Sequence, residues 1–246
     1  MRALTEAGEA RAAREVCDAI GQEDPWEWRA AWSRGVAYLS DNQAEAAISA
    51  FLDVYHAVPG ELAPKLALGV AIEQAHDQRH AQRWYEVVAR TDPSYTTAAF
   101  GLARCRLAIG DRAGALEAYD GVPASSISYD DAQLARIGGL VSGRGPHRPV
   151  LEDLRAAAAG LQAVSVSPER RTTLTIALLE AALRLVEDGG ATIAPGDALL
   201  GIPLDPRALR TGIEGNYRAL AHLNADDDER IRLVDAANAV RPRTWT

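Results

Sequence analysis

The side chains best suited to chemistry are few, and their spacing does not favour a metal or cofactor site. His76 and His80 form a His-x-x-x-His pair around Asp77, which on a helix would put two imidazoles on one face. The glutamate of a metalloprotease is lacking, and the repeat register places the pair at a turn between helices. The acidic run from Asp226 to Glu229 suits the positive N-terminal end of a helix better than a metal. We therefore expect no metal and no cofactor.

The nucleophiles form no catalytic pattern either. Cys17 and Cys105 are the two cysteines of the chain, and they match neither a metal motif nor a disulfide framework. No Ser/His/Asp or Cys/His spacing stands out. We therefore expect a protein that is not an enzyme. An enzyme whose site assembles only in three dimensions is the hypothesis with the least support.

Composition and charge narrow the class of partner. The net charge is −8 and the basic residues are scattered, which argues against nucleic acids and anionic membranes as partners. There is no apolar run of about 18 residues and no signal peptide. Alanine is abundant and strong β-formers are scarce, which favours helix. These features predict a soluble, cytoplasmic, helical protein without membrane insertion.

Two copies of a 34-residue pattern between Trp26 and Pro93 organise the chain. Small, apolar and helix-stopping residues recur at this one offset in pairs: Gly35 and Gly69, Tyr38 and Ile72, Ala47 and Ala81, Phe51 and Tyr85, Val54 and Val88, Pro59 and Pro93. Such a period is typical of the tetratricopeptide repeat, in which each unit is a pair of helices, A and B. The glycines would let helix A pass close to helix B, and the prolines would end helix B.

The pattern continues in both directions. Forward by one repeat it gives Ala103, Ala115, Tyr119 and Val122, and backward it gives Ala13, Cys17, Ile20 and Pro25. The helix A that should precede Ala13 would need more residues than the chain has there. We expect a fragment of a longer protein, and the alternative is a native start in which the orphan helix B serves as a cap.

The predicted fold is all-α, a right-handed tetratricopeptide superhelix with a divergent helical C-terminal cap. Residues 1–125 would hold a remnant half repeat and three full repeats, and residues 126–246 the cap of the same solenoid. Residues 1–22 would be the remnant repeat, ending near Asp24 and Pro25. Helices are predicted at 26–40, 44–57, 62–75, 78–91, 96–109, 112–121, 130–141, 150–163, 167–188, 207–223 and 226–240, with Asn224 as the last cap. The loop at 142–146 and the stretch at 191–206 are predicted to be irregular.

The pattern of side chains on helix A of each repeat predicts a partner-binding groove. Proteins of this repeat class bind partners on the concave face, which helix A forms. The residues in this register are Arg29, Trp32, Val36, Ala63, Leu66, Val70, Thr97, Phe100 and Arg104. Trp32, Leu66 and Phe100 occupy one equivalent position in three successive repeats, so they would form an apolar stripe edged by the two arginines. The alternative is that the protein's own helices fill the groove.

Two regions outside the stripe that carry tryptophans are further candidates for contact with a neighbouring domain or protein. Trp26 and Trp28 flank the start of the first full repeat, where Trp26 would pack inside and Trp28 would be partly exposed. Trp245 lies in a polar tail that either docks on a neighbour or hangs free.

Several runs of sequence resemble one family. These runs are Pro59 to Leu68, Ala98 to Arg104, Gly110 to Arg112, Leu200 to Leu204, Tyr217 to Ala221 and Leu233 to Pro242. In them the chain is similar to the C-terminal tetratricopeptide domain of the actinobacterial serine/threonine kinase called protein kinase G. They follow in the family's order over nearly the whole chain, including its degenerate C-terminal part.

The resemblance implies a parent with a rubredoxin-like metal module, a kinase domain and this repeat domain. The family is linked to control of glutamate and 2-oxoglutarate metabolism through a small forkhead-associated regulator, and its repeat domain to dimerisation and substrate recognition. The chain departs from the whole parent: it has no glycine-rich loop, Val-Ala-Ile-Lys, His-Arg-Asp, Asp-Phe-Gly or Cys-x-x-Cys. We expect it not to transfer phosphate by itself.

Two functional hypotheses follow. The first is a non-catalytic interaction domain of such a kinase, which self-associates and contacts its own kinase domain and the forkhead-associated regulator. The second is a free-standing adaptor that binds an apolar peptide or helix in the groove.

Overall fold

The computed structural model describes residues 9–24, 27–142, 148–190 and 192–242. These residues contain twelve helices and one two-stranded ribbon. The all-α prediction is confirmed. The chain divides into two compact units, Met1–Ser126 and Ile127–Thr246. Of the predicted loop at 142–146, only Ser142 lies among the described residues, and Trp26 and Trp245 lie outside them.

The first unit contains seven helices that follow the 34-residue period. They are α1 Ala10–Glu23, α2 Trp28–Ser40, α3 Ala44–Ala57, α4 Leu62–Gln74, α5 Gln78–Thr91, α6 Thr96–Ala108 and α7 Arg112–Asp120. From α2 onward the predicted bounds agree within two residues. Each helix packs against the next one, and α4 also contacts α6. The even-numbered helices are therefore the A helices of successive repeats, and the odd-numbered ones are the B helices.

Close contacts between glycines and aromatic rings hold the A and B helices together. A Cβ on Gly35 would lie 2.5 Å from Phe51 Cε1, and one on Gly69 would lie 3.0 Å from the ring of Tyr85. Tyr85 also packs against Gly101 of the next repeat, where a Cβ would lie 2.6 Å from Tyr85 Cε1. Both aromatic side chains are fully buried. The sequence predicted that the glycines let helix A approach helix B and that the two aromatic side chains fill the space between repeats, and the structure shows the rings in direct contact with the glycines.

The turn from helix A to helix B is the same in all three full repeats. Asn42, His76 and Gly110 lie 34 residues apart, and each adopts a left-handed backbone conformation with φ of 57°, 61° and 85°. In two of these turns an aspartate follows directly and caps helix B, with Asp77 accepting from His80 N and Asp111 from Gly114 N. The turn thus fixes where each helix B begins.

The second unit contains five helices and the ribbon. The helices are α8 Tyr129–Val141, α9 Leu151–Ala163, α10 Pro168–Glu187, α11 Pro206–Leu223 and α12 Asp227–Val240. Helix α10 packs against α9 and α11, and α11 packs against α12. Arg171 of α10 donates to the carbonyls of Leu161 and Val164, at the C-terminal end of α9, so its charge and donors satisfy that helix end.

Two details of this unit correct the sequence prediction. Strands β1 Ala198–Leu199 and β2 Ile202–Pro203 pair antiparallel within the stretch that was predicted to be irregular. Leu200 and Gly201 join them with φ of 52° and 79°, the two positive values of a tight hairpin turn. The N-cap of α12 is Asp226, which accepts from Asp228 N at 3.0 Å, whereas Asn224 accepts from Asp226 N before the helix.

Among the described residues, no helix combines the length and the apolar character that a membrane span requires.

The glycine–aromatic contact predicts a large difference between two glycine-to-alanine changes. Gly101→Ala forces a methyl group into the ring of Tyr85, so we expect a loss of about 1–3 kcal/mol in the free energy of unfolding. Gly21→Ala is the control, because a Cβ at Gly21 in α1 meets nothing within 4 Å and should be neutral or slightly stabilising. Urea denaturation followed by circular dichroism measures both. Equal stabilities of the two variants would contradict this packing.

A candidate protein-binding groove

The nine residues of the predicted groove lie on three A helices. Helix α2 carries Arg29, Trp32 and Val36, helix α4 carries Ala63, Leu66 and Val70, and helix α6 carries Thr97, Phe100 and Arg104. Ala63 and the five larger apolar side chains are half-buried, and Thr97 and the two arginines are exposed. Each apolar residue therefore keeps part of its surface in solvent. That they bind a partner stays a prediction.

The two aromatic residues of the stripe are each anchored on helix B of their own repeat. The ring of Trp32 lies 5.4 Å from that of Phe51 at a tilt of 59°, and the ring of Phe100 lies 5.7 Å from that of Tyr119 at 66°. Tilted and edge-on pairs of this kind are favourable arrangements for aromatic rings. Because Phe51 and Tyr119 are buried, the half-exposed rings are held by the core.

Arg29 is engaged beside the groove. Its guanidinium lies 3.2 Å from Glu27 Oε1 and 4.8 Å from the centroid of the Trp28 ring. Trp28 is half-buried, as its predicted partial exposure requires. The cation–π contact and the ion pair hold Arg29 along the start of α2.

Arg104 belongs to a three-residue network. Its Nε and Nη2 each donate to a different carboxylate oxygen of Glu73 at 2.8 Å, and the Tyr85 hydroxyl donates to Glu73 Oε2 at 2.6 Å. The two-point contact between guanidinium and carboxylate is a strong, directional pairing. The network joins α4, α5 and α6, and the charges of Glu73 and Arg104 offset each other.

The network sets the protonation of its members. Burial alone would raise the pKa of Glu73, but hydrogen bonds from Arg104 and Tyr85 and the charge of Arg104 bring it below its ordinary value. Burial, together with donation to Glu73, raises the pKa of Tyr85. Burial and the nearby Glu73 charge raise the pKa of the Cys105 thiol to about 11. The carboxylate is therefore ionised at neutral pH, while the phenol and the thiol are protonated.

Sequence reasoning missed one row of the groove. Leu39, Glu73 and Leu107 lie 34 residues apart, and each follows a groove residue by three positions, so each shares its helix face. Leu107 is 43% exposed, which makes it one of the more exposed apolar residues. The spacing was readable in the sequence, but the pairing of Glu73 with Arg104 was not.

The histidine pair has a structural explanation. His76 is the left-handed residue of its turn, and His80 lies in the first turn of α5, where its Nδ1 contacts the Asp77 carboxylate. Both are exposed. Within the described ranges, no three or more His, Cys, Asp or Glu side chains are grouped closely enough to hold a metal ion.

The Glu73 network predicts a pH-dependent stability. A glutamate whose pKa is lower in the folded state than in the unfolded state stabilises the fold at pH values above its unfolded pKa, which is about 4.3. This stabilisation is lost as the pH falls through the lower, folded-state pKa. We expect Glu73→Gln to cost about 1–3 kcal/mol at pH 7, and the difference from wild type to shrink between about pH 5 and pH 3. Urea unfolding at several pH values measures this.

The matched control is Glu23→Gln, since Glu23 is exposed at the end of α1. It should show neither the loss at pH 7 nor the convergence in acid. A Glu73→Gln variant that stays equally destabilised at pH 3 would show that the carboxylate charge does not carry the effect.

Comparison with known proteins shows which proteins this repeat array is similar to. The sequence model of the family described as the protein kinase G tetratricopeptide repeat matches residues 1–244. The chain is 34% identical over 242 residues to the serine/threonine-protein kinase PknG of Mycobacterium leprae. It is 32% identical to the PknG of Mycolicibacterium smegmatis. In both cases the match covers 98% of this chain and 31% of the relative, so the chain spans about a third of the length of these kinases.

Solved structures agree on the fold. YrrB, described as a tetratricopeptide protein with an unusual peptide-binding site, aligns with a TM-score of 0.54 at 16% identity, over 73% of this chain and 87% of that one. MamA aligns with a TM-score of 0.52 at 14% identity, over 79% and 93%. On the strength of the match over residues 1–244, the chain belongs to the protein kinase G tetratricopeptide repeat family.

Proposed function

We propose that this chain is the non-catalytic protein-interaction part of a PknG-type serine/threonine kinase. The family match and the two kinase relatives support this proposal, since they align with the chain over almost all of its length. A repeat array of this kind is a scaffold that offers an extended surface to other proteins. The whole protein would then be cytoplasmic, and its kinase chemistry would come from outside these 246 residues.

Within the parent, the domain would support self-association and substrate docking. Holding the kinase domain and its substrate on one scaffold raises the effective concentration of one at the other, which speeds phosphorylation without any new catalytic group. The substrate class is a forkhead-associated regulator of glutamate and 2-oxoglutarate metabolism, as the family resemblance implies.

The groove is the docking surface that the geometry supports best. The observation that carries it is an apolar stripe that stays half-exposed although its rings are anchored on buried ones. Trp32 and Phe100 form its two aromatic anchors, and Leu66 lies in the same register between them. Glu73 neutralises Arg104 beside the stripe. Such a surface favours an apolar segment of the partner.

Two alanine variants test the groove. Trp32→Ala and Phe100→Ala should each weaken binding of the purified forkhead-associated regulator by about tenfold or more, because buried aromatic anchors dominate interface energies. Isothermal titration calorimetry measures the affinity, and circular dichroism checks that helicity is unchanged. Val87→Ala is the control, since Val87 is 46% exposed on helix B of the second repeat. Unaltered affinity in both groove variants would rule this docking surface out.

Self-association has its own test. Removing this region from the full-length kinase should convert a dimer into a monomer, which light scattering detects as a halved mass. A dimer that persists without the region would contradict the dimerisation role. Docking in the groove is tested separately, by the calorimetric titration.

A free-standing adaptor is the second candidate, and the half-exposed stripe fits it equally well. An immunoblot of the native polypeptide separates the two. A band several-fold heavier than 26.3 kDa supports the kinase, and a band at that mass supports the adaptor.

A further inference from the structure

A pair of opposite charges lies within two otherwise apolar rows of the groove. Arg104 on α6 takes the position that Val36 and Val70 take in the first two repeats. Glu73 on α4 takes the position where the first and third repeats have leucine. Well-packed apolar residues often serve a fold as well as a partly buried ion pair does. Because the other repeats use apolar residues at these positions, the repeat fold by itself does not explain the pair.

The pair is asymmetric, with the guanidinium on the outside. The side chain of Arg104 is 53% exposed and that of Glu73 is 19% exposed. Nε and Nη2 of Arg104 and the Tyr85 hydroxyl all donate to Glu73. The third nitrogen of the guanidinium, Nη1, has no acceptor among the residues that the structure describes. Its N–H groups are therefore available to an acceptor that a partner brings.

These free donors lie beside apolar surface. Phe100 precedes Arg104 by four residues and Leu107 follows it by three, so the three side chains share one face of α6. Phe100 is half-buried and Leu107 is 43% exposed. An acceptor that reaches Nη1 can therefore have apolar neighbours on both sides of it.

The charges favour an acceptor that is itself negative. Glu73 binds the Nε edge of the guanidinium, so a second carboxylate at Nη1 lies closer to the positive charge than to Glu73, and attraction exceeds repulsion. A hydrogen bond between two ionised groups is also about twice as strong as a neutral one. A carboxylate in the partner is therefore preferred over an amide or a carbonyl.

We propose that the groove takes a partner segment with an aspartate or glutamate between apolar residues, and that Nη1 of Arg104 binds its side-chain carboxylate. This inference rests on the proposed docking function of the groove and adds a charge requirement to it. Glu73 and Tyr85 are positioning residues, because they hold the guanidinium in place before the partner arrives. The charge pair thereby selects among apolar segments.

A nuclear magnetic resonance titration of the full 246-residue chain tests the charge requirement. The probe is the peptide acetyl-Leu-Asp-Leu-amide and the reference is acetyl-Leu-Asn-Leu-amide, so that the aspartate carboxylate is the one charge that differs. We expect saturable shifts at the backbone amides of Phe100 and Leu107, with the aspartate peptide binding about tenfold more tightly. Equal affinities, or binding of neither peptide, would overturn the proposal.

Two single variants should move the preference in opposite directions. Arg104→Gln leaves the charge of Glu73 unbalanced, so the asparagine peptide should now bind more tightly than the aspartate peptide. Glu73→Gln keeps an acceptor for the Tyr85 hydroxyl and leaves the charge of Arg104 unbalanced, so the preference for aspartate should exceed that of wild type. A wild-type preference in both variants would show that Arg104 does not contact the carboxylate.

A double variant separates recognition from the overall charge of the protein. Glu73→Gln combined with Arg104→Val removes both charges, keeps the net charge at −8 and restores the valine of the first two repeats. It should bind the two peptides equally, and circular dichroism during urea unfolding shows whether it is folded. A folded double variant that still prefers the aspartate peptide would refute the site.

Arg90→Gln is the matched control, because it removes one positive charge at an exposed position in the last turn of α5, on a B helix. The preference for aspartate should stay as in wild type. A change as large as that of Arg104→Gln would assign the effect to net charge and overturn the proposal.

The peptide titration and the calorimetry of the regulator fail separately. A preference for aspartate that depends on Arg104 supports this inference even where Trp32→Ala and Phe100→Ala bind the regulator normally, and then only docking of the regulator is wrong. Equal peptide affinities together with weakened regulator binding in those variants would remove the charge requirement and leave the docking surface.

Discussion

The first unit depends on an aromatic ring that packs directly against glycine. Tyr85 fills the space that side chains on Gly69 and Gly101 would take, and so touches helix A of its own repeat and helix A of the next. Phe51 does the same against Gly35 and shares a core cluster with Ala67 of the following repeat. The small residue and the ring must therefore recur together, because close packing leaves no room for both a Cβ and a ring.

The same contact ties the core to the candidate groove. Tyr85 is fully buried, yet its hydroxyl reaches Glu73, which holds Arg104. A buried hydroxyl needs a hydrogen-bond partner, and here the partner is a carboxylate beside the stripe. The packing that joins the repeats therefore also positions the charge pair of Glu73 and Arg104 at the edge of the stripe. The aromatic anchors follow the same principle, since Trp32 rests on Phe51 and Phe100 on Tyr119.

The 34-residue period made the helix pairs and the stripe predictable from the sequence. Features that depart from this period were not predictable in the same way. The offset of 34 residues located the helix pairs and the half-exposed stripe, because one repeat length brings equivalent faces into register. The ribbon around Leu200 and Gly201 was missed, since a Leu-Gly pair lacks the usual turn signature. The bond between Glu73 and Arg104 spans 31 residues, and side-chain pairing at that range depends on the packing of three helices.

Hydrogen–deuterium exchange of the full-length protein, with and without the proposed forkhead-associated regulator, would show whether the stripe of helix A side chains is a docking surface. If it is, the regulator should slow exchange in the three A helices that carry the stripe, 28–40, 62–74 and 96–108. Helix B of the second repeat, 78–91, should exchange as before. Protection confined to the B helices, or to residues 127–246, would show that the stripe is not the docking surface.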